Sequence, residues 1–257
     1  MRPPDKAGAS TVILIHGAWQ GSWVWTRLMP LLEDAGLAAI AVDLPGNGHD
    51  DTSPEAVSLD LYVQHIEKIV AATKGCVSLV GHSGGGVVAT AAAEALAGKV
   101  DRVAYIAGMM LPSGMRFAEF LADERAADRG LAGIGPHLVW SPDRQSTAVP
   151  TEAAAEIFLS DMAHDAALAA LARLTPQPQG GRDVAVRWTD SRFNRLPRLY
   201  IECLRDRSVA HELQRRMQEL VPGAERVMLD AGHVPHISAP AQLAGALIPF
   251  LTRQKRA

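Results

Sequence analysis

Cysteine is nearly absent from this sequence. Two occur in 257 residues, Cys76 and Cys203, which excludes a disulfide-stapled scaffold. Cys76 opens one predicted strand and Cys203 closes another, so parallel strands would hold the thiols at opposite sheet ends, both reduced and buried. A basic surplus is lacking too: the net charge is -3, which gives no field for a phosphate backbone and leaves nucleic acid an unexpected partner. The short basic end "TRQKRA" reads as a solvated tail, and no membrane contact follows from it. No apolar run approaches the roughly 18 residues of a membrane span, and "MRPPDKAGAS" lacks the apolar centre of a signal peptide. The expected location is cytoplasmic. Neither GxGxxG nor GxxxxGK[ST] occurs, so no dinucleotide site or P-loop is signalled.

What is present is ordinary for a globular protein: 48 % hydrophobic and 21 % charged residues. "TVILIHG" from Thr11, "LAAIAVDLPGNG", "CVSLVGHS" and "RVAYIAG" are short apolar runs that read as buried strands. Helical stretches separate them: "SWVWTRLMPLLEDAG", with Ser22 as N-cap and Gly36 as the closing glycine, "SLDLYVQHIEKIVAATKG" and "GGGVVATAAAEALAG". This alternation predicts an α/β fold with a parallel sheet covered on both faces. Between about residues 109 and 196 the rhythm breaks into alanine-rich helical segments without a comparable strand. That segment is expected to be a helical cap inserted into a single domain spanning 1–257, because strands and helices resume with "PRLYIECLRD", "AHELQRRMQELV", "ERVMLDAGH" and "PAQLAGALIPFLTRQ".

Gly81-His82-Ser83-Gly84-Gly85 fits G-x-S-x-G, with the required strand before it and helix after it. A strand-to-helix turn this sharp would bring side chains two residues either side of the serine into collision, and glycine removes them. Ser83 is therefore the candidate nucleophile. A serine hydroxyl needs a base to take its proton and a carboxylate to orient that base. In this kind of fold the order is Ser, Asp or Glu, then His, each after a strand. His233 directly follows the last predicted strand and is preferred as base over its competitor His236. Asp206 follows "RLYIEC", whereas Glu202 lies inside that strand, Asp190 lies before it, and the loop "GMMLPSG" has no carboxylate. The bland alternative for Asp206 is a surface aspartate paired with Arg205 or Arg207.

An oxyanion hole needs two backbone N–H groups. Gly84, at a helix N-terminus, is expected to give one, and Ala18 in "HGAW" the other. His16 and His82 read as packed, hydrogen-bonded loop histidines. No helical HExxH or cysteine cluster supports metal at "HVPH".

The stretches "VILIHGAWQGSWVWTRLMPLLEDAGLAAIAVDLPGNGHDD", "VSLVGHSGGGVV", "LTPQP", "YIECLRDRSV" and "LDAGHVPHIS" together resemble the α/β-hydrolase branch of plant methylesterases, hydroxynitrile lyases and bacterial pyrethroid-hydrolase-like esterases. The resemblance runs along nearly the whole chain and is weakest in the cap. It implies the α/β-hydrolase fold, a mostly parallel central sheet with helices on both faces and a helical cap. It also implies a Ser83, Asp206, His233 triad with Ala18 and Gly84 as oxyanion donors. Hydroxynitrile lyases of this branch carry threonine where this chain has Gly17 and lysine where it has Val234, which argues against lyase chemistry. Dehalogenase and epoxide hydrolase relatives need an aspartate nucleophile, which Ser83 excludes.

The resulting expectation is a serine carboxylic-ester hydrolase acting on a small, largely apolar ester, with no cofactor. Two other classes stay open: a ligand receptor on the same fold, and a triad-bearing lyase, cyclase or cofactor-free oxygenase. Trp19, Met109, Met110 and Trp188 are candidate pocket residues. Taken singly, a tryptophan reads first as a packing residue, and Trp19 is the best pocket candidate.

Overall fold

The computed structural model describes residues 10–127 and 133–254. The polar stretch 1–9, the last residues of the basic tail and the end of the "RFAEFLADERAADRG" segment lie outside the described residues.

Among the described residues nine strands run in chain order: β1 (Thr11–Ile15), β2 (Ala38–Val42), β3 (Val77–His82), β4 (Val100–Ile106), β5 (Val139–Trp140), β6 (Ser146–Ala148), β7 (Gln177–Pro178), β8 (Arg198–Cys203) and β9 (Ala224–Leu229). Six form one sheet in the order β2-β1-β3-β4-β8-β9, every pair parallel. The helices are α1 (Met29–Asp34), α2 (Leu59–Ala72), α3 (Gly85–Ala95), α4 (Phe117–Ala127), α5 (Thr151–Ile157), α6 (His164–Leu171), α7 (His211–Leu220), α8 (Pro235–Ser238) and α9 (Pro240–Leu251).

Strand side chains alternate between the faces, and the two cores divide accordingly. Ile13, Ile15, Leu79, Val103, Tyr105 and Tyr200 pack with α2, α3 and α7. Val12, Leu14, Val80, Ala104, Leu199 and Ile201 pack with α1 and α9. Every residue of β1, β3 and β8 is buried, as a sheet covered on both faces requires. Because the strands are parallel, the loops after β1, β3, β8 and β9 all emerge at one end of the sheet. In open α/β sheets that end holds the ligand crevice.

The segment between β4 and β8 is mainly helical, but it also contains the three-stranded sheet β5-β6-β7, paired antiparallel. Strands of two or three residues carry no readable alternation, and β7 includes Pro178, so the sequence reading misses this sheet.

Two local expectations also change. Ser22 does not cap a helix: its N–H and hydroxyl donate to the Asp43 carboxylate at 2.5 and 3.1 Å. A 3-10 turn over Ser22–Trp25 comes first, and α1 starts only at Met29. Cys203 is fully buried at the end of β8, and burial pushes its thiol pKa well up. Cys76, just before β3, is half-buried and donates to the Gly98 carbonyl at 3.4 Å. Among the described residues no helix is long and apolar enough to cross a membrane.

Candidate active site

The turn from β3 into α3 is built by glycine. A Cβ on Gly81 would meet the Gly85 carbonyl oxygen at 2.6 Å, and one on Gly85 would press into the backbone oxygens of Ile15 and His16. Ser83 sits at the apex with φ of 50°, a left-handed conformation that costs a serine about 1–3 kcal/mol. The surroundings hold it there. Its N–H donates to Ile106 O at 3.1 Å, and its carbonyl accepts from Gly86 N at 3.0 Å and Met109 N at 2.9 Å.

Asp206 follows β8 and His233 follows β9, and a hydrogen bond of 2.8 Å joins His233 Nδ1 to Asp206 Oδ2. The other carboxylate oxygen accepts from the N–H groups of Ser208 (2.7 Å) and Val209 (2.9 Å), and Gln214 Nε2 donates to Oδ2 at 3.3 Å. With Asp206 as acceptor, Nδ1 of His233 carries the proton and Nε2 is free to act as a base. Arg205 pairs instead with Asp230, at 2.9 Å, and with Asp161, at 4.0 Å. Glu202 belongs to a separate buried cluster with His211, Gln218 and Arg226. Ser83 and His233 are not hydrogen-bonded to each other in this structure. Catalytic hydrogen bonds often tighten only when substrate is bound.

The base loop is gripped from two sides. His82, inside the β3 turn, donates its Nε2–H to the His233 carbonyl at 2.7 Å, while its Nδ1 lies 3.1 Å from Gln20 Oε1. Asp161, from the α5–α6 connection, accepts from the N–H of Gly232 at 2.6 Å and from Ser238 Oγ at 3.1 Å. Phe158 stacks on the His233 ring with centroids 5.3 Å apart. His16 is also satisfied, with Nδ1 bonding Gly17 O at 2.7 Å and Nε2 accepting from Leu44 N at 3.1 Å. Burial holds the pKa of His16 and of His82 below the usual imidazole range, the latter well below. Both therefore stay neutral, as bonded loop histidines. His236 is fully buried, its ring 4.7 Å from Trp25 and 4.4 Å from His82.

Ala18 and Gly84 face each other. A Cβ built on Gly84 would have one neighbour within 4 Å, the Ala18 N at 3.7 Å. Among the described residues neither N–H is donated to another protein group. Both residues line a cavity of about 220 Å³ that also touches Ser83, Trp19, Met109 and Val88, with Phe117, Leu121, Ile134 and Trp140 from the segment between β4 and β8.

Of the four pocket candidates, Trp19 and Met109 line this cavity and Met110 and Trp188 do not. Met110 is fully buried in the core. Trp188 packs on Phe193 with centroids 5.3 Å apart and donates its indole N–H to Leu111 O at 2.9 Å. Trp19 is itself strained, with φ of 62°. Its indole N–H donates to Thr147 O at 3.0 Å, and its backbone N–H to Gln177 Oε1 at 3.2 Å. Gln177 Oε1 also accepts from Asn47 Nδ2 (3.1 Å), and Gln177 Nε2 donates to Tyr62 Oη (3.1 Å).

Asp161, Phe158 and the Asn47–Tyr62–Gln177 network are absent from the sequence reading. Gln177 lies within the quoted "LTPQP", but no local pattern marks Asp161 or Phe158, whose partners on the base loop are more than 70 residues away.

Comparison with known proteins agrees with this architecture. The chain is 29 % identical over 253 residues to the pyrethroid hydrolase of Sphingobium wenxiniae, covering 93 % of this chain and 86 % of that protein. It is 29 % identical over 250 residues to salicylic acid-binding protein 2 of Nicotiana tabacum, covering 92 % and 95 %. The crystal structure of a pyrethroid hydrolase from Sphingobium faniae superposes with a TM-score of 0.83 at 26 % identity, covering 95 % of this chain and 97 % of that one. The sequence model of the alpha/beta hydrolase family matches residues 12–246, and the chain belongs to that family.

Proposed function

We propose that this protein is a serine hydrolase of a small, largely apolar carboxylic ester, working through an acyl-enzyme. Ser83 Oγ attacks the acyl carbon as His233 Nε2 takes its proton. Asp206 holds the imidazole by Nδ1 and stabilises the cation that forms. The N–H groups of Ala18 and Gly84 receive the oxygen that becomes negative. Collapse of the tetrahedral intermediate expels the alcohol, protonated by His233. Water, activated by the same imidazole, then releases the acid and restores Ser83. The observation that carries this reading is the pair of unclaimed N–H groups beside a strained serine on the wall of a largely apolar cavity.

The cavity is small compared with typical ligand sites, which favours a short ester. Segment 109–196 acts as a cap within a single domain spanning 1–257, since it supplies one side of that cavity. The partner is a small molecule, and the acidic balance of the chain does not favour nucleic acid. A reducing, cytoplasmic compartment suits a chain with so few cysteines.

The test is turnover of a panel of short nitrophenyl and methyl esters. Wild type is expected to release alcohol steadily. Ser83→Ala should lose about 10³-fold or more in kcat with the fold retained. Undiminished turnover in Ser83→Ala, or tight ligand binding without any turnover, would overturn the reading.

A further inference from the structure

Arg182 and Asp183 are the charged residues among those that line the cavity, whose other polar lining groups include Ser83, Gln177, Gln179 and Ser208. Arg182 is half-buried, and its guanidinium lies over the Trp19 indole, 5.6 Å from the ring centroid. Its side chain has one hydrogen-bond partner, Gln179 Oε1 at 3.3 Å, and no carboxylate within ion-pair distance among the described residues. A guanidinium offers five N–H donors in a planar fork. Four find no protein acceptor among the described residues. Burial lowers the Arg182 pKa and the neighbouring Asp183 works against that shift, so the cation is retained at neutral pH.

Placement adds the second part of the argument. Trp19, on which Arg182 rests, directly follows the Ala18 donor, and the cavity of about 220 Å³ is bounded by both Ser83 and Arg182. A molecule with its ester carbon at Ser83 therefore shares its cavity with this fork. A neutral carbonyl would use one donor, whereas a carboxylate takes two in parallel and also balances the charge.

We propose that the preferred substrate is a half-ester: a short, apolar-bodied acid with the ester at the Ser83 end and a free carboxylate held by Arg182. This rests on the esterase reading and narrows it. The ester bond is the one cleaved. The carboxylate is a handle that neither gains nor loses atoms. Asp183 opposes the anion and sets how strongly it is favoured.

The experiment compares kcat/KM for monomethyl glutarate and dimethyl glutarate near neutral pH, together with calorimetric titration of glutarate itself. Wild type is expected to favour the half-ester by about tenfold or more, the scale of one charge-assisted hydrogen bond. Arg182→Met should remove that preference, read as the ratio of the two kcat/KM values, which a general loss of activity does not move. Arg182→Lys should keep part of the preference, and Asp183→Asn should raise it. Glutarate binding should weaken about tenfold in Arg182→Met. Ser83-dependent turnover of the dimethyl ester with no half-ester preference, or a preference that survives Arg182→Met, would overturn the carboxylate handle and leave the esterase reading intact. Arg182-dependent glutarate binding without turnover of either ester would do the reverse. Neither turnover nor binding would remove both.

Discussion

The N–H of Gly232, the residue before His233, donates to Asp161 Oδ2 at 2.6 Å. This bond joins the segment between β4 and β8 to the loop that carries the candidate base. The approach is so close that a Cβ on Gly232 would lie 2.7 Å from Asp161 Oδ1. Asp161 touches neither cavity nor nucleophile, so it acts through His233 as a positioning residue.

Asp161→Ala is therefore expected to lower kcat by about 10–100-fold with little change in KM, the effect of a base displaced by a fraction of an ångström. Asp161→Asn keeps an acceptor and should recover most of the rate. Steady-state kinetics on one ester checks both variants. Equal losses in the two, or a loss confined to KM, would place Asp161 outside the catalytic geometry.

Gly84 separates two roles of the same residue. Its N–H is the candidate oxyanion donor, while its missing side chain leaves the space in front of Ala18 open. Gly84→Ala fits without displacing anything, because its Cβ would rest at ordinary van der Waals distance from Ala18 N. Gly84→Leu projects into the cavity and should cut kcat/KM by about 10²-fold for a butyrate ester and much less for an acetate ester, on the scale of a few misplaced methylenes. Measuring both esters on both variants decides the matter. A leucine variant with the wild-type acyl profile would place the acyl group elsewhere.

Gln177 ties Trp19, Asn47 and Tyr62 into one buried network. Gln177→Leu preserves volume but removes every bond. The expected loss is about 1–3 kcal/mol of stability for each buried group left without a partner, read as a lower urea midpoint at unchanged slope. Because Trp19 follows Ala18, KM for esters should rise as well. A midpoint within error of wild type would show that water satisfies the network instead.

How far the sequence carried these conclusions depends on separation along the chain. The placement of the candidates Ser83, Asp206 and His233 at one sheet end is legible because each follows a strand whose apolar run is plain. The nearness of the candidates Ala18 and Gly84 to each other is legible because they follow neighbouring strands β1 and β3. Met110 and Trp188 were misplaced because flanking the cap in sequence says nothing about which way a side chain turns. Met110 points into the sheet core, and Trp188 packs on Phe193. Asp161 was unreadable because its partner lies 71 residues away, and a single aspartate between two helical segments has no local signature. The small sheet of β5, β6 and β7 fails for a related reason, since its strands are too short for alternation to register.

His16, His82 and His236 all have pKa values below the usual imidazole range, in each case mainly through burial. For His82 the neighbouring His236 and His233 add to the effect. Unfolded, each would titrate near the ordinary value of about 6.5. Below that pH the unfolded chain binds protons that the folded chain refuses, so stability is complete above about pH 6.5 and is lost as pH falls. The slope approaches about 1.4 kcal/mol per pH unit for each such histidine. Urea unfolding at a series of pH values should show this decline. His236→Phe is the sharper probe, because both imidazole nitrogens of His236 lack hydrogen-bond partners and its ring packs at a tilt against Trp25. A phenyl ring can keep that ring contact without burying unpaired nitrogens. The variant should match or exceed wild-type stability near neutral pH and show a shallower acid slope, by about a quarter if His16, His65, His82 and His236 share it equally. An unchanged slope would mean that His236 takes up a proton in the folded state.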